Sequence, residues 1–187
     1  KTFYNTAFVI GPNGEIIFQQ AKSVPIQFFN DGLPAPDQKV WQSPWGAIAI
    51  PTCYDLSYRR ITDRFVIAGA QAFIVPFMDV ADWGEQQHRQ HTRIAPMRAR
   101  EYRLPIFRLG SSGISQHVDR NGQVLAEGSF PGQEEIIAGE LQINQGRVPL
   151  DRWLAPACAV LSGLAILFLG VSAARKSFQS AGARRAS

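Results

Sequence analysis

Cysteine and histidine are scarce in this sequence: two of the first and three of the second in 187 residues. Two cysteines, Cys53 and Cys158, in segments of different character make no disulfide framework, and both are read as unpaired thiols. Three histidines leave little material for a metal centre. His88 and His91 stand three apart, no third ligand of matching spacing appears, and His117 has no evident partner, so neither a metal nor any other cofactor is expected. A basic stripe with interleaved aromatics is also missing. The formal charge is +4, but Arg175, Lys176, Arg184 and Arg185 all fall in the last thirteen positions. The remainder is close to neutral, which argues against a nucleic-acid partner. Internal repeats, low-complexity tracts and a signal-peptide pattern are lacking too. The chain starts at Lys1 directly on strand-like sequence, and an upstream portion is expected.

What is there is a globular balance, 45% hydrophobic and 18% charged, followed by one long apolar run. Leu154 to Ala174 holds 21 residues without a charge, which as a helix would span about 31 Å, the thickness of a bilayer core. Trp153 and Arg152 stand at its start like interfacial anchors. A transmembrane helix is therefore expected over 151–174. The basic tail, 175–187, would be cytoplasmic by the positive-inside rule, leaving residues 1–150 on the other side, in a bacterium the periplasm.

Ahead of that helix the pattern is α/β. Phe3 to Ile10 reads as a strand, closed by the turn Gly11-Pro12-Asn13-Gly14, with Glu15 to Gln20 as its hairpin partner. Residues 23–38, rich in proline and glycine, read as a loop. Trp45 to Ile50 and Ala72 to Phe77 are short apolar runs of the buried-strand kind, and Asp55 to Ala70 carries helical periodicity between them. Glu85 to Tyr102 predicts one polar helix despite Pro96, and Ile106 to Leu109 a further strand. Asn121-Gly122 marks a hairpin between Ile114–Gly122 and Gln123–Glu127, and Ile136 to Leu141 is expected to close the set. Strands alternating with helices imply helices packed on a sheet.

The segment Trp45 to Asp55 ends a buried strand, presents Cys53 and begins a helix. Unpaired N–H groups and the dipole at a helix start lower a thiol's pKa and can hold a developing oxyanion. A small buried hydrophobe is an equal reading of an isolated cysteine at this position.

Cys53-Tyr54-Asp55 resembles the Cys-Tyr-Asp/Glu signature of the nitrilase superfamily, and further segments resemble its apolipoprotein N-acyltransferase branch in the same order. These are Tyr4-Asn5-Thr6-Ala7 with the Gly11–Gly14 turn, Val24-Pro25, Met78 to Gly84, His91 to Glu101, Leu104 to Arg108, and Ser112 to Ser115 with Asp119 to Gly122. The resemblance implies the C-terminal half of a nitrilase-type αββα sandwich followed by one transmembrane helix. It also implies a Glu-Lys-Cys triad, with glutamate as general base, thiol as nucleophile and lysine stabilising the tetrahedral intermediate.

Carried over, Cys53 is the nucleophile, the Tyr54 N–H an oxyanion donor and Lys22 the lysine. The family pattern would place that lysine two positions earlier, at Gln20, so a contraction of the chain is required. A glutamate that follows the Val-Pro pair in the family is missing, since Ile26, Gln27 and Phe28 follow Pro25; Asp31 could replace it only through a rearranged loop. Asp55 is read as orienting the lysine or the loop, or as an acidic residue favoured in a first helical turn. The general base is expected upstream of Lys1, because none of Glu15, Glu85, Glu101, Glu127, Glu134, Glu135 and Glu140 stands at its position. Arg93, Arg98 and Arg100 with Glu101 are read as a solvated helix face by default, or as an ion-pair network supporting the active site.

The function so implied is a membrane-anchored acyltransferase working through a Cys53 thioester, with a phospholipid acyl donor and a lipoprotein acceptor. Phe28, Phe29, Leu33 and Val40 would suit a membrane-facing lid, or could pack inside. An amidase of the same fold, releasing the acyl group to water, is the second expectation. A non-catalytic fragment or interaction module, lacking the upstream glutamate, is the third.

Overall fold

The computed structural model describes the backbone of residues 2–130 and 135–185, with side chains as far as residue 175. The chain forms two units, Lys1–Val148 and Pro149–Ser187. Glu134 and the side chains of Lys176, Arg184 and Arg185 lie outside the described residues.

The first unit begins with an antiparallel hairpin, β1 (Thr6–Ile10) and β2 (Ile16–Ala21). Its turn works because Gly14 adopts φ +82°, open to glycine without a Cβ penalty, and because the Gly11 N–H reaches Glu15 O at 2.8 Å. β1 starts later than Phe3; Tyr4 makes only a single bridge to Gly32.

The main sheet has six strands in sequence order: β3 (Val40–Ser43), β4 (Gly46–Ala49), β5 (Ala72–Phe77), β6 (Ile106–Gly110), β7 (Gln116–Val118) and β8 (Val124–Glu127). β4, β5 and β6 run parallel and the flanking pairs antiparallel. The parallel centre is apolar almost throughout, as a sheet covered on both faces must be. Phe73, Val75 and Ile106 pack against Ile61, Phe65, Ala95, Ala99 and Tyr102 from the helices. The Tyr102 hydroxyl satisfies its own burial by bonding Thr62 Oγ1 (2.7 Å) and Asp63 Oδ1 (2.6 Å).

Three expectations about elements need correction. The helix expected over Asp55–Ala70 is a 3-10 turn, Cys53–Ser57, followed by α1, Arg59–Ile67. The break at Tyr58 arises because Arg98 takes the Leu56 and Ser57 carbonyls (2.8 and 2.7 Å), which a continuous helix would have used internally. The helix expected over Glu85–Tyr102 is two, α2 (Gly84–Thr92) and α3 (Ile94–Tyr102). Pro96 falls in the first turn of α3, where its missing N–H costs nothing. Residues 136–141 form no strand. This segment is instead tied singly, by His117 Nε2 to Glu140 O (3.1 Å), and the stretch after it by Asn144 N–H to Gln71 O (3.3 Å) and Arg147 N–H to Tyr102 O (3.1 Å). The edge strand β3, in a stretch assigned to no element, is added by its pairing with β4.

The second unit is one helix, α4 (Asp151–Arg185), longer than the expected 151–174. Its Asp151–Arg175 portion is long and apolar enough to cross a membrane, and none of it is buried.

Candidate active site around Cys53

After β4 the chain stays buried and extended through Ile50, Pro51 and Thr52, then turns sharply at Cys53, which has φ +51°. A non-glycine residue in this left-handed region is strained, and such strain is kept only where the surroundings over-determine it. What fixes it is Asp55, 0% exposed, whose carboxylate accepts the N–H groups of Thr52 (3.1 Å), Ser23 (3.0 Å) and Val24 (2.7 Å). Burial pushes the Asp55 pKa up, against the pull of those N–H bonds. Asp55 thus pins the residues after Lys22 onto the turn that carries Cys53. Asp55 is also the acidic residue of the first turn, in a capping box with Thr52, so the two readings of it coexist.

The Lys22 ammonium goes elsewhere. It is 2% exposed and lies 2.5 Å from Asp31 Oδ2. Asp31 also accepts the Ile26 N–H (2.9 Å) and the Asn5 amide (2.7 Å). Burial raises the Asp31 pKa, but Lys22, Asn5 and Ile26 together outweigh it and leave it below the usual carboxylate value. The loop is therefore arranged so that Asp31 meets the lysine. Gln20 is buried but bonded to backbone, donating to Ala21 O (2.8 Å) and Asp37 O (3.1 Å) and accepting the Lys39 N–H (2.7 Å). It props the loop and does not line the cavity at Cys53.

That cavity, about 740 Å³, brings Lys22, Asp31 and Cys53 to one wall system. A second, about 630 Å³, is lined by Phe28, Tyr54, Tyr58, His91 and Arg108. Cys53, Ile26, Phe29 and Trp83 border both. The Cys53 side chain therefore stands between an aperture with a buried cation and one with aromatic walls. Burial pushes its thiol above the ordinary value; the Lys22 charge is the largest opposing influence, Asp79 adds to the rise, and the Met78 N–H and Arg108 oppose it. The expected acidification at a helix start is thus overridden. A single 3-10 turn carries little dipole, and the apolar cavity disfavours the thiolate.

The Tyr54 ring is partly exposed and packs edge-on against Tyr58, centroids 5.0 Å apart. Its N–H belongs to the first turn, where no intrahelical acceptor exists. The Met78 N–H adds a second backbone influence that favours the thiolate.

Sequence reasoning passed over two residues here, Asp79 and Arg108, and gave a third, Arg98, the wrong default. Arg98 fits the alternative of a supporting ion-pair network and not the solvated default: it is buried and clamps the Cys53 turn through Leu56 O and Ser57 O while pairing with Glu101. Asp79 and Arg108 are buried and paired at 3.2 Å beside the second cavity. A charge inside the apolar run Leu104 to Leu109 was the available signal for Arg108. His88 and His91 turn to different partners, His88 to Val80 O (3.0 Å) and His91 to Asp79 Oδ1 (3.0 Å).

Fold and site together define the class: an α/β sheet protein with a half-buried cysteine at a sharp strand-end turn and a lysine–carboxylate pair on the same cavity. The chain belongs to the carbon-nitrogen hydrolase family, whose model matches residues 1–148. An apolipoprotein N-acyltransferase from Geobacter metallireducens is 24% identical over 87% of this chain and 36% of its own length. One from Mycolicibacterium smegmatis is 24% identical over 66% of this chain and 21% of its own. The chain thus spans about a third or less of the curated relatives it matches. Among solved structures, Nit3 of Saccharomyces cerevisiae, of the nitrilase superfamily, superposes with TM-score 0.60 at 20% identity, covering 70% of this chain and 51% of Nit3. A mutant amidase from Nesterenkonia, with an acetamide moiety covalently added at its active-site cysteine, gives TM-score 0.58 at 20% identity, covering 65% and 49%. The fold is the nitrilase fold, with one apolar helix following.

Proposed function

We propose that this chain is the cysteine-bearing part of a membrane-anchored acyltransferase that moves an acyl chain from a phospholipid to the N-terminal amine of a lipoprotein. The observation that carries the reading is Cys53 set between two cavities, one with the Lys22–Asp31 pair and one with aromatic walls. The curated relatives' name and the apolar helix α4 support it.

In this reaction a general base takes the Cys53 proton and the thiolate attacks the ester carbonyl, forming a C–S bond. The tetrahedral oxyanion is met by Lys22 and the Tyr54 N–H; the C–O bond then breaks, and the lysophospholipid leaves with the proton. The acceptor amine next attacks the thioester, a C–N bond forms, the C–S bond breaks, and the amine's proton returns by way of the base. No glutamate lines either cavity among the described residues. In this reading the base is a glutamate from a part of the protein upstream of Lys1. In this reading the basic residues 175–187 are cytoplasmic and residues 1–150 face the other side of the inner membrane.

The test is a mass measurement on the full natural chain in detergent with phospholipid. An acyl adduct on Cys53, absent in Cys53→Ser and discharged by an N-terminal lipopeptide, is the expected result. The similarity to amidase structures favours a second reading, hydrolysis of a small amide. Turnover of small amides without discharge to the lipopeptide would establish that reading instead.

A further inference from the structure

A buried charge network beside Cys53 has no part in that scheme. Arg108, on β6, is buried; its guanidinium donates to Ile114 O (2.8 Å) and Asp79 Oδ2 (3.2 Å) and lies over the Phe77 ring, 3.4 Å from the centroid. Asp79, 1% exposed, directly follows Met78, which lines the first cavity together with Cys53. Its other oxygen pairs with His91 Nδ1 at 3.0 Å, its N–H donates to Ser112 O (3.2 Å), and its carbonyl accepts the Ser112 hydroxyl (2.6 Å). Gly113, at φ +100°, passes so close that a Cβ there would sit 3.2 Å from the Asp79 side chain. A carboxylate tethered this thoroughly holds whatever it pairs with in one place.

We infer that Asp79 is a positioning residue for Cys53: it fixes Arg108 as a second cation near the sulfur, on the cavity that Lys22 does not line, and balances that cation's charge. The inference rests on Cys53 being the reactive thiol. Lys22 borders the first cavity and Arg108 the second, with Cys53 on both. The charged groups acting on the sulfur are therefore Lys22, Asp79 and Arg108; Asp31 stands behind Lys22, His91 behind Asp79, and Asp55 on the turn itself, engaged with backbone. Two cations flank a site where a negative charge passes from sulfur to oxyanion, while Asp79 keeps the second from being an uncompensated buried charge. The arrangement lets the cavity stay apolar for its substrate without forbidding the thiolate.

Opposite signs make this testable. In the full natural chain in detergent, with Cys158→Ser as background, the pH dependence of iodoacetamide alkylation at Cys53 is followed by peptide mass spectrometry. Asp79→Asn removes the negative charge and moves the alkylation midpoint to lower pH. Arg108→Gln moves it to higher pH, and Arg108→Lys restores it in part. A displacement of half a unit each way corresponds to about threefold in thiolate fraction. Damage to the fold would move both variants the same way, so same-direction shifts, or midpoints unmoved in Arg108→Gln, overturn the inference. The Arg108 pair decides the matter even where Asp79→Asn does not fold. Alkylation needs no acyl donor, so a failed acylation assay with these opposite shifts intact would sink the proposed reaction and leave the network standing.

Discussion

Lys22 and Asp31 meet at 2.5 Å across nine residues of loop, and the pair is almost fully buried. No glutamate follows Val24-Pro25, and the carboxylate that meets Lys22 comes from Asp31, farther along the chain. Asp31 can do so because it also accepts the Ile26 N–H, folding the loop back on itself.

Removing that carboxylate strands a buried ammonium. Asp31→Ala is expected to cost about 3 kcal/mol in unfolding free energy, the range for breaking a buried ion pair. Asp31→Glu should cost less and keep part of the Cys53 acylation. Chemical denaturation beside the acylation assay checks both, and an Asp31→Ala protein of unchanged stability would contradict the burial of the pair.

The same pair sets an acid limit. The Asp31 pKa is lowered in the fold, so its stabilisation is complete above the unfolded value, near 4, and disappears as pH falls through the lower folded value. Between about pH 5 and pH 2 the parent chain should therefore lose stability faster than Asp31→Asn, which has no such group to protonate. Denaturation midpoints across that window provide the measurement.

Gln20→Lys is not expected to rescue Lys22→Ala, even though the family pattern points to position 20. The Gln20 amide is fully engaged by Ala21 O, Asp37 O and the Lys39 N–H. A lysine there would lose an acceptor and bury a charge away from the Cys53 cavity. Lys22→Ala should lower the acylation rate by a factor of about a hundred, the scale for one oxyanion-stabilising group. Restoration by Gln20→Lys would show that the two positions are interchangeable.

How much of this was legible depended on whether the cause was local. The β1–β2 hairpin was readable because Gly11 to Gly14 encode its turn, and β5 because Ala72 to Phe77 is apolar between breakers. The break at Tyr58 was not, since its cause is Arg98, forty residues farther on, taking two carbonyls. Cys53 and Lys22 were named through resemblance, and the fold brings both to one cavity. Asp31, Asp79 and Arg108 join them through loop closure and strand order, which no short motif records. The direction of the thiol's pKa was misjudged for a related reason: a helix start is visible in sequence, whereas the desolvation that outweighs it belongs to the assembled cavity.

The last prediction concerns the loop's apolar tip. Phe28 is 90% exposed and borders the second cavity; Phe29, about half exposed, packs near Trp83 and borders both. A tip that meets the bilayer gains what burying an aromatic side chain provides, about 2 kcal/mol for Phe28, or roughly thirtyfold in apparent affinity for a donor held in lipid. Phe28→Ser should therefore leave unfolding free energy within about 0.5 kcal/mol of the parent, slow Cys53 acylation from phospholipid vesicles by that order, and leave acylation from a short, water-soluble ester unchanged. In the proposed reading α4 already anchors the protein, so retention on the membrane would not change, and only the comparison of donors reads the tip's contribution. If Phe28 instead packs within the protein, its loss would destabilise the fold and slow both donors alike, and the membrane-facing role would be withdrawn.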